Sequence, residues 1–154
     1  MADYSIRPAT LDDADALVHH RVAMFQDMGV QVEPVALDAA FRPWLTEMMP
    51  KGLYRAWVVE AQSAVVAGGA ITIIQWPPGP HYPGDRLAFV YNVYTEPEHR
   101  RRGLGRTVME AIHAWCRAER IRSVALNASR SGQPLYESMG YVVTPSPMMF
   151  LALE

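Results

Sequence analysis

The sequence predicts a mixed α/β fold of the α+β kind, one domain over residues 1–154, with a six- to seven-stranded sheet covered by helices on both faces. Three observations carry this. A strand, a glycine loop, a helix and another strand follow one another between Leu87 and Ala128, and such a βαβ unit makes its strands parallel. Apolar runs on either side, separated by short breaks, read as antiparallel hairpins. Half of the 154 residues are hydrophobic and only 19% are charged, enough for a sizeable core and too few charges for disorder.

Taken in order, Tyr4 to Pro8 reads as a short strand. Thr10 can cap a helix whose first turn holds Asp12 and Asp13. Ala14, Leu17, Val18, Arg21, Val22, Phe25 and Met28 recur at helical spacing until Gly29 stops the run. A less regular helix spans Pro34 to Met49, with Pro43 placed to split it. Ala56–Ala61 and Val65–Gln75 read as strands joined by a tight turn at Gln62-Ser63, and Gly68-Gly69 marks a bulge or a close approach. Trp76–Gly84 is a proline-rich loop whose Trp76, His81 and Tyr82 can line a pocket or simply connect. Leu87–Thr95 is nearly all apolar, as for a strand covered on both faces. Leu104, Val108, Ala111, Ile112, Trp115 and Cys116 mark one face of a long helix. Val124–Ala128 is a further strand, Gln133–Met139 a short helix, and Tyr141–Val143 and Met148–Leu153 two last strands.

The formal net charge of −2 argues against a general nucleic-acid binder. One cysteine, Cys116, excludes an intrachain disulfide, and its place on the apolar helix face suits a buried thiol. No apolar run reaches the roughly 18–20 residues that span a bilayer, and the first residues lack a signal-peptide pattern. The expectation is a soluble cytoplasmic protein, with no membrane and no nucleic acid as partner. The histidines show no metal-ligand spacing, so no metal is expected.

The chemistry concentrates at Arg100-Arg101-Arg102-Gly103-Leu104-Gly105-Arg106. Two glycines let the backbone turn tightly and approach a ligand. The helix that follows aims unpaired N–H groups and its positive dipole end at the loop, and the arginines add charge. A phosphate or pyrophosphate is the expected guest. A P-loop is excluded because the only lysine is Lys51, and a Rossmann fingerprint because position 108 is valine.

Asn92-Val93-Tyr94-Thr95-Glu96-Pro97-Glu98-His99-Arg100-Arg101-Arg102-Gly103-Leu104-Gly105 resembles the acyl-CoA loop of the GNAT (GCN5-related) N-acetyltransferase superfamily. A second block with the family's pattern, Leu126-Asn127-Ala128 through Tyr136 to Gly140-Tyr141, lies downstream, and the order of elements fits the family from residue 4 to residue 153. The resemblance implies transfer of acetyl from acetyl-CoA to a primary amine of a small molecule or peptide by direct transfer, without metal. It implies that Arg100, Arg101, Arg102, Gly103, Leu104, Gly105 and Arg106 bind the pyrophosphate. Val93, Tyr94 and Thr95 would pair with the pantetheine arm on a splayed strand, and Asn127 would hold that arm. Tyr136 matches the family's general acid. Phe25, Asp27 and Asn92 fall on the acceptor side. The general base stays open among Glu96 and a water held by Asn92, Tyr91 or His81. A homodimer through a final strand or the sheet edge is also implied. The rival reading is an acyl-CoA-binding sensor that does not turn over.

Overall fold

The computed structural model describes residues 3–153. Met1, Ala2 and Glu154, the ends of the expected domain, lie outside the described residues. The elements are β1 (Tyr4–Pro8), α1 (Ala14–Asp27), α2 (Pro34–Met48), β2 (Tyr54–Ala61), β3 (Ala64–Gln75), β4 (Arg86–Thr95), α3 (Leu104–Ala118), β5 (Ser123–Leu126) and α4 (Gln133–Ser138). The strands form one sheet in chain order, antiparallel from β1 to β4, with β5 parallel to β4.

The start of α1 follows from its cap. The Thr10 hydroxyl and the Asp13 carboxylate satisfy each other's backbone N–H groups through a 3₁₀ turn, Leu11–Asp13, ahead of the helix. Arg7 in β1 then bonds Asp13 and Glu60, each at 2.8 Å, tying β1, α1 and β2 together. Pro43 does not split α2. The cost of an interior proline, about 3 kcal/mol, is met by burial of Phe41 and Leu45 on either side of it. Gln62 and Ser63 both adopt positive φ, 52° and 66°, as a two-residue hairpin turn requires.

Helices α1 and α2 bury Leu17, Val18, Phe41 and Leu45 against Tyr54, Ala56, Val58 and Ala70 on one face. Helices α3 and α4 bury Leu104, Val108, Met109, Ile112 and Tyr136 against Trp57, Val59, Ile71 and Val90 on the other. Gly68 and Gly69 admit both layers. A Cβ on Gly68 would lie 3.3 Å from His20 Nδ1 of α1, and one on Gly69 would lie 2.7 Å from Val108 Cγ1 of α3.

Among the described residues the sheet has five strands, not six or seven. Tyr141–Val143 and Met148–Leu153 form no strand among the described residues. Their apolar runs satisfy the propensity of a strand, but a strand also needs a hydrogen-bonded partner. Pro145 and Pro147 remove two donors from this stretch, and β5 offers an edge of only four residues. No helix among the described residues is long and apolar enough to cross a membrane.

Candidate active site

The chain leaves β4 through a 3₁₀ turn at Pro97–His99 and enters α3 at Gly103. Arg101 and Gly103 adopt positive φ, 60° and 78°, which folds the loop back on the helix start. The Gly103 carbonyl accepts from the Thr107 N–H (3.0 Å) and hydroxyl (3.1 Å). The N–H groups of Leu104, Gly105 and Arg106 precede the first intrahelical bond and stay free for an anion. Arg101, Arg102 and Arg106 are exposed beside them. Arg106 also donates to Ser138 Oγ at 2.6 Å, and a Cβ on Gly105 would lie 3.2 Å from Leu135, so α4 sits against the first turn of α3. Arg100 turns elsewhere. It donates to the Thr95 carbonyl (2.8 Å) and to Asp27 (2.5 Å), and lies 5.5 Å over the Tyr94 ring. That brace fixes the end of α1 to the end of β4.

Strands β4 and β5 pair from Leu87 with Ser123 to Val90 with Leu126, and then part. Tyr91 to Thr95 continue along β3 with no strand among the described residues on their other side. The main-chain groups facing that gap have no sheet partner, and a ligand arm can supply one. A bulge stands at the same point. Ala70 faces Tyr91 and Gly68 faces Tyr94, so Asn92 and Val93 together oppose Gly69. Asn92 takes φ 57° there. The extra residue interrupts the alternation of faces. Tyr91 and Asn92 both turn to the α1/α2 layer, Val93 packs with the α3 layer, and Tyr94 lies 5.2 Å from the His20 ring. The sequence marked the bulge at Gly68-Gly69, and the glycines make the close approach while β4 carries the extra residue.

Tyr136 is 9% exposed and belongs to the core cluster on the α3 side. Its ring packs edge-on to Tyr141 at 5.8 Å and under Gly132, where a Cβ would lie 3.1 Å away. Burial raises its pKa above that of a free phenol, so the group stays protonated. Tyr136, Leu126 and Asn127 line a cleft of about 1090 Å³ along the free side of β5. Asn127 is exposed, and its amide meets Met148 sulfur at 3.8 Å.

On the opposite side of the sheet, Asn92 accepts from Arg21 (2.8 Å) and donates to the Tyr54 hydroxyl (2.7 Å). Phe25 lies under the Arg21 guanidinium at 4.9 Å, whereas Asp27 is spent on Arg100. Glu96 bonds His19 Nε2 at 2.6 Å and lies 4.0 Å from His20 Nε2. His20 is 2% exposed with Nε2 unpartnered, and burial lowers its pKa to about 4. His81 stands at the far end of β4: the neighbouring Pro83 carbonyl accepts from Ser123, the first residue of β5. Cys116 is buried, and burial raises its thiol pKa to about 11. Among the described residues no group of three or more His, Cys, Asp or Glu side chains is placed to hold a metal.

Arg21 and Tyr54 were missed as site residues. The helical spacing of α1 counts Arg21 with the apolar stripe, yet a guanidinium among Leu17, Val18, Val22 and Phe25 is itself the signal of a polar group turned inward.

The family model described as an acetyltransferase (GNAT) domain matches residues 52–143, and the chain belongs to that family. A crystal structure of a GCN5-related N-acetyltransferase from Ralstonia eutropha JMP134 is 34% identical, with TM-score 0.87 and coverage of 97% of this chain and 99% of that one. A predicted acetyltransferase from Clostridium acetobutylicum, solved with acetyl-CoA, is 23% identical (TM-score 0.88; 97% and 96% covered). The aminoglycoside N-acetyltransferase AAC(6')-Iy in complex with CoA is 14% identical (TM-score 0.77; 99% and 96% covered). These last two share the fold. No curated protein matches the chain.

Proposed function

We propose that the protein transfers the acetyl group of acetyl-CoA directly to a primary amine of a small molecule or peptide. The observation that carries this reading is the parting of β4 from β5 after Val90 and Leu126, beside the free N–H groups at the head of α3. One place thus offers an anion cradle and an unpaired strand edge in sequence. Acetyl-CoA supplies a thioester open to attack by an amine. Main chain from Gly103 to Arg106, with Arg101, Arg102 and Arg106, holds the pyrophosphate. Val93, Tyr94 and Thr95 align the pantetheine arm, and a main-chain N–H there bonds the thioester oxygen as negative charge grows on it. One such donor is worth about 3 kcal/mol in the transition state. Asn127 steadies the arm at the cleft mouth. Tyr136, kept protonated by burial, donates to the departing sulfur. The structures solved with acetyl-CoA and with CoA support the cofactor assignment.

The test mixes the protein with acetyl-CoA and an amine panel and follows free thiol. Release that depends on an amine is expected. Binding of acetyl-CoA without release for any amine would instead favour a sensor module.

The same reading includes a homodimer. Val142, Val143, Met148, Met149, Phe150, Leu151 and Leu153 are 73–89% exposed, and the free side of β5 borders the open cleft. A second copy of the chain would cover both.

A further inference from the structure

We propose that the amine acceptor carries a carboxylate on an apolar or aromatic body, and that Arg21 receives this carboxylate in a pocket between α1, α2 and the sheet. The inference rests on the acetyl-transfer reading and specifies its acceptor. The pocket holds about 370 Å³, a volume suited to a small molecule, and Arg21, Phe41, Trp44, Tyr54, Thr72 and Tyr91 line it. Tyr91 and Asn92 precede Val93 directly, so the pocket opens at the point where the sheet parts.

Its polar groups are donors. Arg21 gives one N–H to Asn92 Oδ1 at 2.8 Å, and no carboxylate among the described residues pairs with it. Other arginines of this face are neutralised: Arg7 by Asp13 and Glu60, Arg42 by Asp15 and Asp38, Arg100 by Asp27. A guanidinium has no acceptor atom, so Asn92 must turn its oxygen to Arg21 and its amide nitrogen to Tyr54. The Tyr54 oxygen accepts that bond at 2.7 Å, which leaves the hydroxyl proton free to donate. Thr72 donates to the Tyr91 oxygen at 3.4 Å, which frees the Tyr91 proton likewise. The cation is also held between two rings, 4.9 Å from Phe25 and 5.1 Å from Phe41, so it is fixed in place before any ligand arrives.

A ring-walled pocket whose polar atoms are a fixed cation and spare hydroxyl protons selects an anion with an apolar body. No Asp or Glu lines it, so a polycationic acceptor finds no counter-charge there. The bulge at Asn92 serves this arrangement. Without the extra residue, the Asn92 amide would face the α3 layer and Arg21 would lose its support.

The test compares amines bearing a carboxylate one to four carbons from the nitrogen and an aryl or branched alkyl group, each against its primary amide. In the wild type, kcat/KM for the best carboxylate should exceed that of its amide by at least about tenfold, because the half-buried Arg21 cation has no carboxylate partner among the described residues and the neutral analogue supplies none. Arg21→Gln keeps a donor toward Asn92 and removes the charge. It should erase the preference through KM of the carboxylates, bringing the carboxylate-to-amide ratio of kcat/KM to within about twofold of one. A separate arm titrates 3-phenylpropionate, which has no amine, and follows Trp44 fluorescence. Saturation should appear in the wild type and vanish in Arg21→Gln. Equal use of carboxylate and amide by the wild type, or an equal loss for both in Arg21→Gln, overturns the inference. If no amine releases thiol yet 3-phenylpropionate binds through Arg21, the transfer reading fails and the anion pocket stands.

Discussion

Two buried side chains set the expected behaviour at the residue scale. Desolvation raises the pKa of Tyr136, so its hydroxyl is a proton donor through the neutral range and beyond pH 10, where a free phenol ionises. Tyr136→Phe should lower kcat by about a hundredfold or more and leave the Kd of acetyl-CoA nearly unchanged. In the wild type kcat should fall only above pH 10, and that alkaline limb should be missing from the variant. An unaltered kcat would remove Tyr136 from the mechanism. His20 works in the opposite sense. Its folded pKa is lowered to about 4 by burial first and by His19 second, against 6.5 for a free imidazole. The folded state holds it neutral and the unfolded chain protonates it. Its contribution is therefore whole above pH 6.5 and declines as pH falls toward 4, by up to about 3 kcal/mol. The denaturation midpoint should drop between pH 7 and pH 5 in the wild type and drop less steeply in His20→Gln, where His113, also lowered by burial, keeps its share. Tyr136 was legible in the sequence because it stands in a motif with fixed neighbours. The Arg21, Asn92 and Tyr54 chain was not, because 33 residues separate Arg21 from Tyr54 and a further 38 lead to Asn92, and only the bulge brings the three to one side.

At the scale of elements, the Gly68-Gly69 pair and the Gly103 turn give separable predictions. A Cβ on Gly69 would press on Val108 Cγ1 at 2.7 Å, inside a core where Val108 has no exposure and no room to yield. Gly69→Ala should cost about 1–3 kcal/mol in thermal or chemical denaturation, with β3 and α3 forced apart. Gly103 meets nothing within 4 Å, and its demand is the φ of 78° alone. Gly103→Ala should cost only about 1–2 kcal/mol and fold normally, so a weaker grip on CoA in this variant reports the loop itself. A loss of CoA affinity in Gly69→Ala but not in Gly103→Ala would move the anion cradle away from the head of α3. The elements that the sequence located correctly are those whose signal is local: the Thr10 cap, the Gln62-Ser63 turn, the apolar stripe of α3. Pro43 was a local warning that tertiary burial overrode. The last two strands failed for the converse reason, since nothing local tells whether an apolar run will find an edge to pair with.

For the whole molecule, that missing edge argues for a second subunit. Residues 141–146 line one wall of the cleft beside β5, and from Met148 onward the chain carries Met149, Phe150, Leu151 and Leu153 in full contact with solvent. Twelve residues in extended form reach about 40 Å, enough to cross to a neighbour. Each large apolar side chain covered would contribute about 1.5–3 kcal/mol, and a bare strand edge next to them invites pairing with another chain. Reciprocal exchange between two copies closes the arrangement with two-fold symmetry and covers the β5 edge of each copy. Light scattering and sedimentation of the full chain should give twice the mass of 17.2 kDa at micromolar concentration. A chain ending at Tyr141 should keep its far-UV dichroism and run at the monomer mass. A double substitution, Phe150→Ser with Leu151→Ser, should shift the monomer–dimer equilibrium without shortening the chain. A wild type that stays monomeric at every concentration would mean that the tail folds back into its own cleft. The amide protons of residues 148–153 would then be protected from exchange in the monomer, and β5 would gain its sixth strand from within the same chain.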